Sequence, residues 1–547
     1  MRDYAETIGF LGQWGRFQQI VFFSLVATIM PNGFGAFTLV FLTDTPSHHC
    51  LVSGINLTED WRKSVDGKQE LSRCSRYRLD VVRNLSAQGY IPGRDVNLTD
   101  LEEEGCVDGW SYSKDIYEST IVSEFDLVCS NQWKQPFTST VFFVGGLLGS
   151  FLSGQLSDRY GRKPVLFAAL ALQTVFTFAQ VFSGSWIMFL IILFINGLGQ
   201  MSNFVAALVL GSEVLTGKVR VLYSSLGTCL GFAIGYMILP LLAYFLRDWK
   251  SLSLALSLPC VAYVPFWWLM PESPRWLLSR GRVEEAEAII RTAAKWNKVQ
   301  ALRIICEDCG VSELSLKHYW INPRCRTQLA TTLILCFVLF TMIVGYYSLS
   351  FNTAQLHENP YISCFISAVV EIPAYISSWM ALLYLPRRLS VILTLVFGAV
   401  PLYLIQLVPD DLSNLALALE MLGKYSITTG SSLMFAYTAE LYPTVLRNTA
   451  TGISNTVSRI GSCIAPLLLS LGMYYKYLPY IILGSLAVVA AFAALFLPES
   501  FKKPLPETIE QITIQQQGDS KCFTETLETK TNKKHDLKLI KTSKQTN

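Results

Sequence analysis

Charged side chains are scarce in this sequence. Only 16% of its 547 residues are Asp, Glu, Lys or Arg, whereas soluble globular proteins carry about 25%. Hydrophobic residues make up 51% of the chain, and many lie in long runs such as 187–210, 329–349 and 480–497. A run of about 20 apolar residues can cross a hydrocarbon core about 30 Å thick. The composition therefore excludes an ordinary soluble protein and predicts an all-α membrane protein.

Other signals are missing as well. Residues 1–16 are mixed and charged and contain no cleavable apolar region, so we expect the first apolar run to be a retained transmembrane helix. The loops hold no basic cluster with interleaved aromatic residues, which argues against nucleic-acid binding. No arrangement of nucleophile and base is visible, and the pair Cys306 and Cys309 lacks a second ligand pair. We therefore expect neither an enzyme nor a metal site.

The apolar runs predict twelve transmembrane helices in two halves of six. Their even number returns both chain ends to one side, and the basic residues of the loop 157–163 and of the central loop place that side in the cytoplasm. We expect a cytoplasmic N-terminus (1–17), a first half (18–270), a cytoplasmic linker (271–328), a second half (329–497) and a disordered cytoplasmic tail (498–547). Within the linker, Val283 to Lys298 is predicted to form an amphipathic helix. The twelve helices are predicted near 18–42, 138–156, 164–182, 186–209, 221–244, 250–270, 329–351, 360–383, 389–408, 414–436, 448–471 and 477–497.

A polar segment, 43–137, follows the first predicted helix. The only three Asn-x-Ser/Thr sequons of the chain lie here, together with an even set of cysteines. This clustering predicts a glycosylated, disulfide-closed extracellular loop. Four cysteines allow three pairings, and the sequence does not choose among them. The sequon residues are Asn56, Asn84 and Asn97, and the cysteines are Cys50, Cys74, Cys106 and Cys129.

Two motifs occur twice at the same offset. Pro-Glu-Ser stands at 271–273 and again at 498–500, an offset of 498 − 271 = 227. An acid followed seven residues later by an arginine also recurs, with the same offset of 440 − 213 = 227. Two motifs that share one offset indicate duplicated halves, with a binding site between them near the middle of the membrane. The acid–arginine motifs are Glu213 with Arg220 and Glu440 with Arg447.

Residues 154–163, Gly-Gln-Leu-Ser-Asp-Arg-Tyr-Gly-Arg-Lys, match the G-x-x-x-D-R-x-G-R-[RK] signature of the major facilitator superfamily. The residues Met1 to Tyr4, the cysteine-bearing first loop, 271–276 and 439–444 resemble the organic cation, anion and zwitterion transporters, most closely the carnitine/organic cation branch. The resemblance runs from residue 1 to about 508, apart from 299–328. It implies the twelve-helix major facilitator fold and a multi-pass protein of the plasma membrane. It also implies a gate built from Asp158, Arg159, Arg162, Glu213, Arg220, Glu440 and Arg447.

Four ionisable residues lie inside predicted spans, where charge is costly and therefore indicates function: Glu371, Glu420, Lys424 and Arg459. Arg459 can bind a substrate carboxylate through two parallel hydrogen bonds, or it can pair with a group on helix 7 or 8. Glu371 can attract the cationic end of a substrate or balance the two positive charges. Glu420 and Lys424 are four residues apart, in the favourable order for a pair on one helix face.

Glu420 is a departure from the resembled branch, which has an apolar residue at this position. If Glu420 faces the cavity, the four charges sum to −1 − 1 + 1 + 1 = 0, against +1 without it. We therefore expect this chain to be less inclined to simple anions than the proteins it resembles. Alternatively, Glu420 lies near the outer end of helix 10 in contact with water.

Aromatic faces attract a quaternary ammonium without hydrogen bonds, although any one ring can also serve only packing. The candidates are Tyr236, Tyr346, Tyr347 and Tyr437. The resemblance places Asn32, Gln173, Asn203, Tyr236 and Tyr437 where the carnitine branch lines its sodium or substrate site, with Asn32 and Asn203 as candidates for ion coupling. Phe204 and Asn455 differ from that branch, and both changes leave sodium coupling and carnitine as the substrate open.

Together these features predict a transporter of small organic cations or zwitterions, carnitine-like or betaine-like, that works by alternating access. Its expected partners are the small molecule and the lipid bilayer, and Na+ is the one candidate coupling ion, with no other cofactor. Two alternatives stay open. One is an organic anion transporter or exchanger of the same family, and the other is a receptor-like protein that kept the fold without transport.

Overall fold

The structure is a computed structural model that describes residues 11–12, 14–51, 73–91, 94–97, 101–299, 325–352, 359–409, 412–442 and 444–501. Its main body is a bundle of long helices, which we number α1 to α12. Their bounds are α1 Arg16–Leu42, α2 Lys134–Tyr160, α3 Arg162–Gln180, α4 Trp186–Val214, α5 Gly217–Phe245, α6 Trp249–Val261, α7 Cys325–Asn352, α8 Pro360–Tyr384, α9 Arg387–Leu404, α10 Ser413–Leu441, α11 Thr444–Ser470 and α12 Leu478–Ala494.

Eight of the described helices are long and apolar enough to cross a membrane by length and composition: α1, α2, α4, α5, α7, α8, α9 and α11. α12 is a shorter apolar helix. α10 carries Glu420 and Lys424 together with several Ser and Thr residues. Both charged side chains are fully buried, and the side chains of Ser426, Thr428 and Thr429 are buried as well, as is usual for ionisable residues within a membrane.

Local sequence sets where several helices begin. α4 starts after Ser185, whose hydroxyl accepts a hydrogen bond from the amide of Met188. α8 starts at Pro360, and the side chain of Asn359 accepts from the amides of Tyr361 and Ile362. Both are N-caps that satisfy free amide groups of the first turn, and proline at the first helical position loses no hydrogen bond.

The helices form two packed halves, α1–α6 and α7–α12. In the first half α4 packs against α2 and α3, and α1 against α5; in the second, α7 packs against α11, and α9 against α10 and α12. The halves meet along α2 with α11 and α5 with α8. At the α1–α5 contact a Cβ on Gly235 would lie 2.1 Å from the carbonyl oxygen of Met30, so only glycine permits this close approach of the backbones.

The segment between α1 and α2 folds over one end of the bundle, which we call the loop end. Strand β1 (His48–Cys50) pairs antiparallel with β4 (Trp110–Tyr112), and β2 (Ser75–Tyr77) with β3 (Glu103–Gly105). Disulfides join Cys50 to Cys106 and Cys74 to Cys129, one of the three pairings that the sequence allows. Asn84 and Asn97 are exposed, whereas Asn56 lies outside the described residues.

The opposite end, which we call the linker end, carries a helix at Val283–Asn297. This linker helix packs against α1, with Trp296 edge-on to Phe17 at a centroid distance of 5.9 Å. The side chain of Asn297 accepts a hydrogen bond from the amide of Phe17 at 3.0 Å and donates to the carbonyl of Leu11 at 2.9 Å. It therefore caps the beginning of α1 and fixes the linker helix to the first half.

Candidate substrate site

An ion pair lies at the centre of the bundle. The Nζ of Lys424 on α10 is 3.2 Å from Oε1 of Glu371 on α8, and both side chains are fully buried. Lys424 also donates to Ser367 Oγ at 2.5 Å. Tyr346 donates to Glu371 Oε1 at 2.8 Å, and Tyr375 to its Oε2 at 3.4 Å. Because both charges have a partner and further hydrogen bonds, the pair meets the condition under which buried charges are tolerated.

Aromatic rings surround the ammonium of Lys424. Its Nζ lies 4.7 Å from the ring centroid of Tyr236, 5.7 Å from that of Tyr346 and 5.8 Å from that of Phe37. All three distances are within the range of a cation–π interaction. Tyr236 and Phe37 belong to the first half, whereas Lys424 belongs to the second. We call Tyr236, Tyr346 and Phe37 the aromatic cage, and the protein's own lysine fills it in this conformation.

Glu420 lies one helical turn before Lys424 and is fully buried. The alternative that it contacts water is therefore wrong, although Glu420 does lie in the part of α10 nearer the loop end. Its carboxylate accepts hydrogen bonds from Tyr480 at 2.9 Å and from Asn352 at 3.2 and 3.3 Å, which are neutral donors. Asn352 and Tyr480 also line a cavity of about 740 Å³ at the loop end, so Glu420 lies directly behind the cavity wall.

Arg459 on α11 is partly exposed. Its Nη1 donates to the hydroxyl of Tyr347 at 3.4 Å, and its guanidinium lies 5.9 Å from the ring centroid of Phe204 on α4. Asn455, one turn earlier on α11, is exposed. Phe204 and Asn455, two of the three expected departures from the resembled branch, thus lie beside Arg459 and one turn before it, respectively. These contacts leave guanidinium donors available to a carboxylate.

A second polar cluster lies within the first half, against α1. Asn203 donates to the carbonyl of Thr28 at 2.9 Å and to Asn32 Oδ1 at 3.4 Å. Gln173 donates to the carbonyl of Pro31 at 3.2 Å, and Gln200, one turn before Asn203, donates to the carbonyl of Asn32 at 2.7 Å. All four amide side chains are buried. Within this cluster, four buried side-chain atoms have no hydrogen-bond partner among the described residues: Asn32 Nδ2, Gln173 Oε1, Gln200 Oε1 and Asn203 Oδ1.

Tyr437 does not join either cluster. It lies thirteen residues after Lys424 on α10, about 20 Å along the helix at 1.5 Å per residue. Its buried hydroxyl donates to the carbonyl of Pro498, which follows α12. In this conformation Tyr437 therefore fixes the linker end of α10 to the end of α12.

Aromatic residues close the loop end between the halves. Phe41 stacks on Tyr361 with a centroid distance of 5.5 Å, and Tyr361 also meets Tyr117 and Tyr244 edge-on. The hydroxyl of Tyr361 donates to the carbonyl of Ile116 at 2.9 Å. A second layer of ring contacts lies nearer the centre: Phe37 with Tyr346, Tyr347 and Phe351, and Phe143 with Tyr347 and Phe351.

An acidic side chain lies beside this closure. Asp44, just beyond α1, accepts a hydrogen bond from the hydroxyl of Tyr117 at 2.7 Å. Burial raises the pKa of the Asp44 carboxyl, and the hydrogen bond from Tyr117 opposes this shift only in part.

Comparison with known proteins identifies the fold and family. Residues 105–512 match the family described as "Sugar (and other) transporter". The chain is 49% identical over 524 residues to the organic cation/carnitine transporter 2 of Rattus norvegicus, with 94% of each chain covered. It is 50% identical to solute carrier family 22 member 4 of Mus musculus, covering 94% of this chain and 95% of that protein. The chain belongs to the organic cation/carnitine transporter family. It is a multi-pass membrane transporter and not an enzyme.

More distant proteins agree on the architecture. An organic cation transporter protein of Drosophila melanogaster is 33% identical and covers 93% of this chain. The partially occluded, inward-open structure of the xylose transporter XylE from E. coli superposes with a TM-score of 0.57 at 16% identity, covering 89% of this chain and 99% of that one. At this identity the likeness shows the fold alone, which is the twelve-helix major facilitator fold predicted from the sequence.

In this member of the organic cation/carnitine transporter family, the signature 154–163 forms a compact network at the linker end. Arg162 pairs with Asp158 at 2.6 Å and with Glu213 at 3.1 Å. Gly161 between α2 and α3 has φ +108°, a conformation that favours glycine. Glu272 accepts from the amides of Arg162 and Lys163 at 2.9 and 3.1 Å. The first Pro-Glu-Ser motif thus caps the beginning of α3.

The second half of the transporter repeats this network with a residue that sequence reasoning missed. Arg387 pairs with Glu440 at 3.0 Å, and Glu499 accepts from the amides of Arg387 and Arg388 at 2.8 and 3.1 Å. Arg387 follows Arg162 by 225 residues rather than 227, which hid the correspondence. The signal that could have revealed it is the pair of adjacent basic residues after helix 8, Arg387 and Arg388.

Two predicted gate residues, Arg159 and Arg220, are not part of the Arg162 and Arg387 ion pairs within the described residues. The guanidinium of Arg159 lies 5.4 Å from the ring centroid of Tyr160, and Arg220 is exposed at the beginning of α5. The side chain of Arg447 lies outside the described residues.

Proposed function

We propose that this protein carries small organic cations and zwitterions across the plasma membrane by alternating access. The observation that supports it most is the aromatic cage beside Glu371. An ammonium group already lies there, 3.2 Å from a carboxylate and within 4.7 Å of a tyrosine ring centroid. A site with these contacts has the chemistry that recognises a substituted ammonium ion, because it supplies both a counter-charge and ring faces.

Arg459 extends the proposal to zwitterions. Tyr347 contacts both Arg459 and the cage residue Tyr346. A substrate that carries an ammonium and a carboxylate can place the first in the cage and the second on the guanidinium. This assignment suits carnitine-like and betaine-like molecules, and the names of the related transporters from Rattus norvegicus and Mus musculus support it.

The charges favour a zwitterion over a simple anion. Glu371, Glu420, Lys424 and Arg459 sum to −1 − 1 + 1 + 1 = 0. A zwitterion leaves this balance unchanged, whereas an anion would add a negative charge beside two buried carboxylates. We therefore keep organic anion transport as the less favoured function of the same cavity.

We also propose that Na+ is the coupling ion and that it binds in the amide cluster of the first half. Gln173 Oε1, Gln200 Oε1 and Asn203 Oδ1 are buried without a donor, and such oxygens are costly unless something binds them. Hard cations prefer oxygen ligands. The cluster lies against Pro31 and Asn32 of α1, and α1 also carries Phe37 of the cage. An ion there would stabilise the part of α1 that faces the substrate.

Alternating access gives the two ends different roles. In our proposal the loop end with its disulfides and exposed sequon residues is extracellular, and the linker end with both termini is cytoplasmic. The described conformation is closed at the loop end by Phe41 and Tyr361. We propose that the halves rock about the substrate while the Arg162–Glu213 and Arg387–Glu440 networks keep each half rigid at the linker end. A substrate shifts this equilibrium only through different affinities for the two states.

The test is radiolabelled uptake in cells expressing wild type or Arg459→Ala, with matched surface levels. The probes are carnitine, tetraethylammonium and a monovalent organic anion, each with and without sodium. Saturable uptake of carnitine that needs sodium and falls in Arg459→Ala supports the whole proposal. Uptake of the anion alone would replace it with anion transport. Specific binding of a probe without uptake would support the receptor-like alternative.

A further inference from the structure

The aromatic cage cannot hold two ammonium groups beside one carboxylate. In the described conformation the ammonium of Lys424 forms the ion pair with Glu371 and occupies the space beside the cage rings. An incoming cationic substrate must therefore displace the lysine ammonium, which then needs another counter-ion inside the bundle. A buried lysine left without a partner is strongly unfavourable.

Glu420 is placed to be that counter-ion. It lies four residues before Lys424 on the same helix, and this spacing brings the two side chains to one face. Its carboxylate is fully buried and receives hydrogen bonds from neutral donors, the hydroxyl of Tyr480 and the amide of Asn352. A carboxylate has about four acceptor positions, so Glu420 can still accept from the lysine.

The donors on Glu420 also separate it from the cage. Tyr480 lies on α12 and Asn352 at the end of α7, so both hold the carboxylate toward the loop end. Glu371 lies on α8 and receives Tyr346 and Tyr375. The two carboxylates near Lys424 are thus held by different donors, and Glu371 is the one that accepts a hydrogen bond from a cage residue, Tyr346.

We propose that Glu420 is the second counter-ion of Lys424: when a cationic substrate takes Glu371 and the cage, the Lys424 ammonium turns to Glu420. Among the groups that take part in this exchange the charges balance, whereas Arg459 is partly exposed and lies outside it. Glu371 and Glu420 supply −2, and Lys424 with the substrate ammonium supplies +2. Without Glu420, substrate binding leaves one uncompensated positive charge in the low-dielectric interior. Glu420 is therefore a positioning residue, because it acts on the substrate through Lys424.

This inference rests on the proposed function, since it assumes a cation in the cage. The test measures tetraethylammonium uptake as KM and maximal rate, with surface levels measured separately, in wild type, Glu420→Gln and Glu420→Asp. We expect Glu420→Gln to raise KM about tenfold, equivalent to about 1.4 kcal/mol, with the maximal rate changed less than twofold. Glu420→Asp, which keeps the charge, should stay within threefold of wild type.

Two further variants separate the exchange from other roles of Glu420. In the Lys424→Met background there is no lysine to displace, so adding Glu420→Gln should change KM less than threefold. Tyr480→Phe removes a hydrogen bond from Glu420 but keeps the charge, so its KM should also stay within threefold. This variant is informative even if Lys424→Met does not reach the surface.

Different results would refute the exchange and the proposed function. An unchanged KM in Glu420→Gln overturns the exchange, and so does an equal rise in the presence and absence of Lys424, since Glu420 would then act on the substrate directly. Equal rises in KM for Glu420→Gln and Tyr480→Phe would show that Glu420, Tyr480 and Asn352 act only as a structural contact, and would overturn the exchange. Wild type that takes up neither tetraethylammonium nor carnitine would refute the proposed function itself, and the exchange with it.

Discussion

Removing one partner of the central ion pair should destabilise the protein, and removing both should restore much of the loss. In Glu371→Gln the Lys424 ammonium keeps Ser367 and the aromatic rings but loses its carboxylate at 3.2 Å. Both side chains are fully buried. Breaking such a pair from one side costs about 3–5 kcal/mol because an uncompensated charge stays inside the protein. We expect the loss in unfolding free energy for Glu371→Gln to lie near the lower end of this range, because Lys424 can turn toward Glu420.

The matched variant is the double substitution Glu371→Gln with Lys424→Met. It removes both charges and leaves groups of similar volume, and neutral replacements of a buried pair are often tolerated. The assay is the midpoint of thermal unfolding of purified protein in detergent. We expect a large drop for Glu371→Gln, a large drop for Lys424→Met, and recovery of at least half the loss in the double variant. Additive losses, or single variants as stable as wild type, would refute the buried pair.

Four further predictions follow from the same geometry. Arg459→Ala should raise the KM for carnitine about 10- to 100-fold, because charged hydrogen bonds contribute about 1.5–3 kcal/mol, and leave tetraethylammonium within threefold. Asn203→Ala should weaken the stimulation of carnitine uptake by sodium while leaving surface level unchanged; equal stimulation would remove the amide cluster from ion coupling. Glu420→Val should increase uptake of a monovalent organic anion relative to tetraethylammonium, and no increase would contradict the charge argument. Burial raises the pKa of Asp44 above its ordinary value, so its charge opposes folding at neutral pH; stability should therefore rise as the pH falls through the raised pKa toward the ordinary value, and Asp44→Asn should lose this dependence in thermal unfolding at several pH values.

The sequence predicted candidate site residues where a single side chain is energetically unfavourable in its surroundings. Ionisable groups in apolar runs are rare enough to be noticed individually, so Glu371, Glu420, Lys424 and Arg459 could be selected from the sequence alone. The fold followed in the same way from apolar runs and the signature 154–163.

The arrangement of these residues could not be predicted, because it depends on helix depth and rotation. Lys424 fills the cage only because α5 and α1 bring Tyr236 and Phe37 against α10. Tyr437 was an equally good aromatic candidate by type, yet it lies about 20 Å along α10 from Lys424. The disulfide pairing could not be predicted because four cysteines allow three pairings. Arg387 was not recognised as the counterpart of Arg162 because it lies two residues short of the 227-residue offset between the halves.

The most direct test of the account is uptake by purified wild-type protein in liposomes, where no other transporter is present. We expect saturable uptake of tetraethylammonium and carnitine, with each inhibiting the other competitively because their ammonium groups share one cage. Saturable uptake of an organic anion that neither compound inhibits would contradict it.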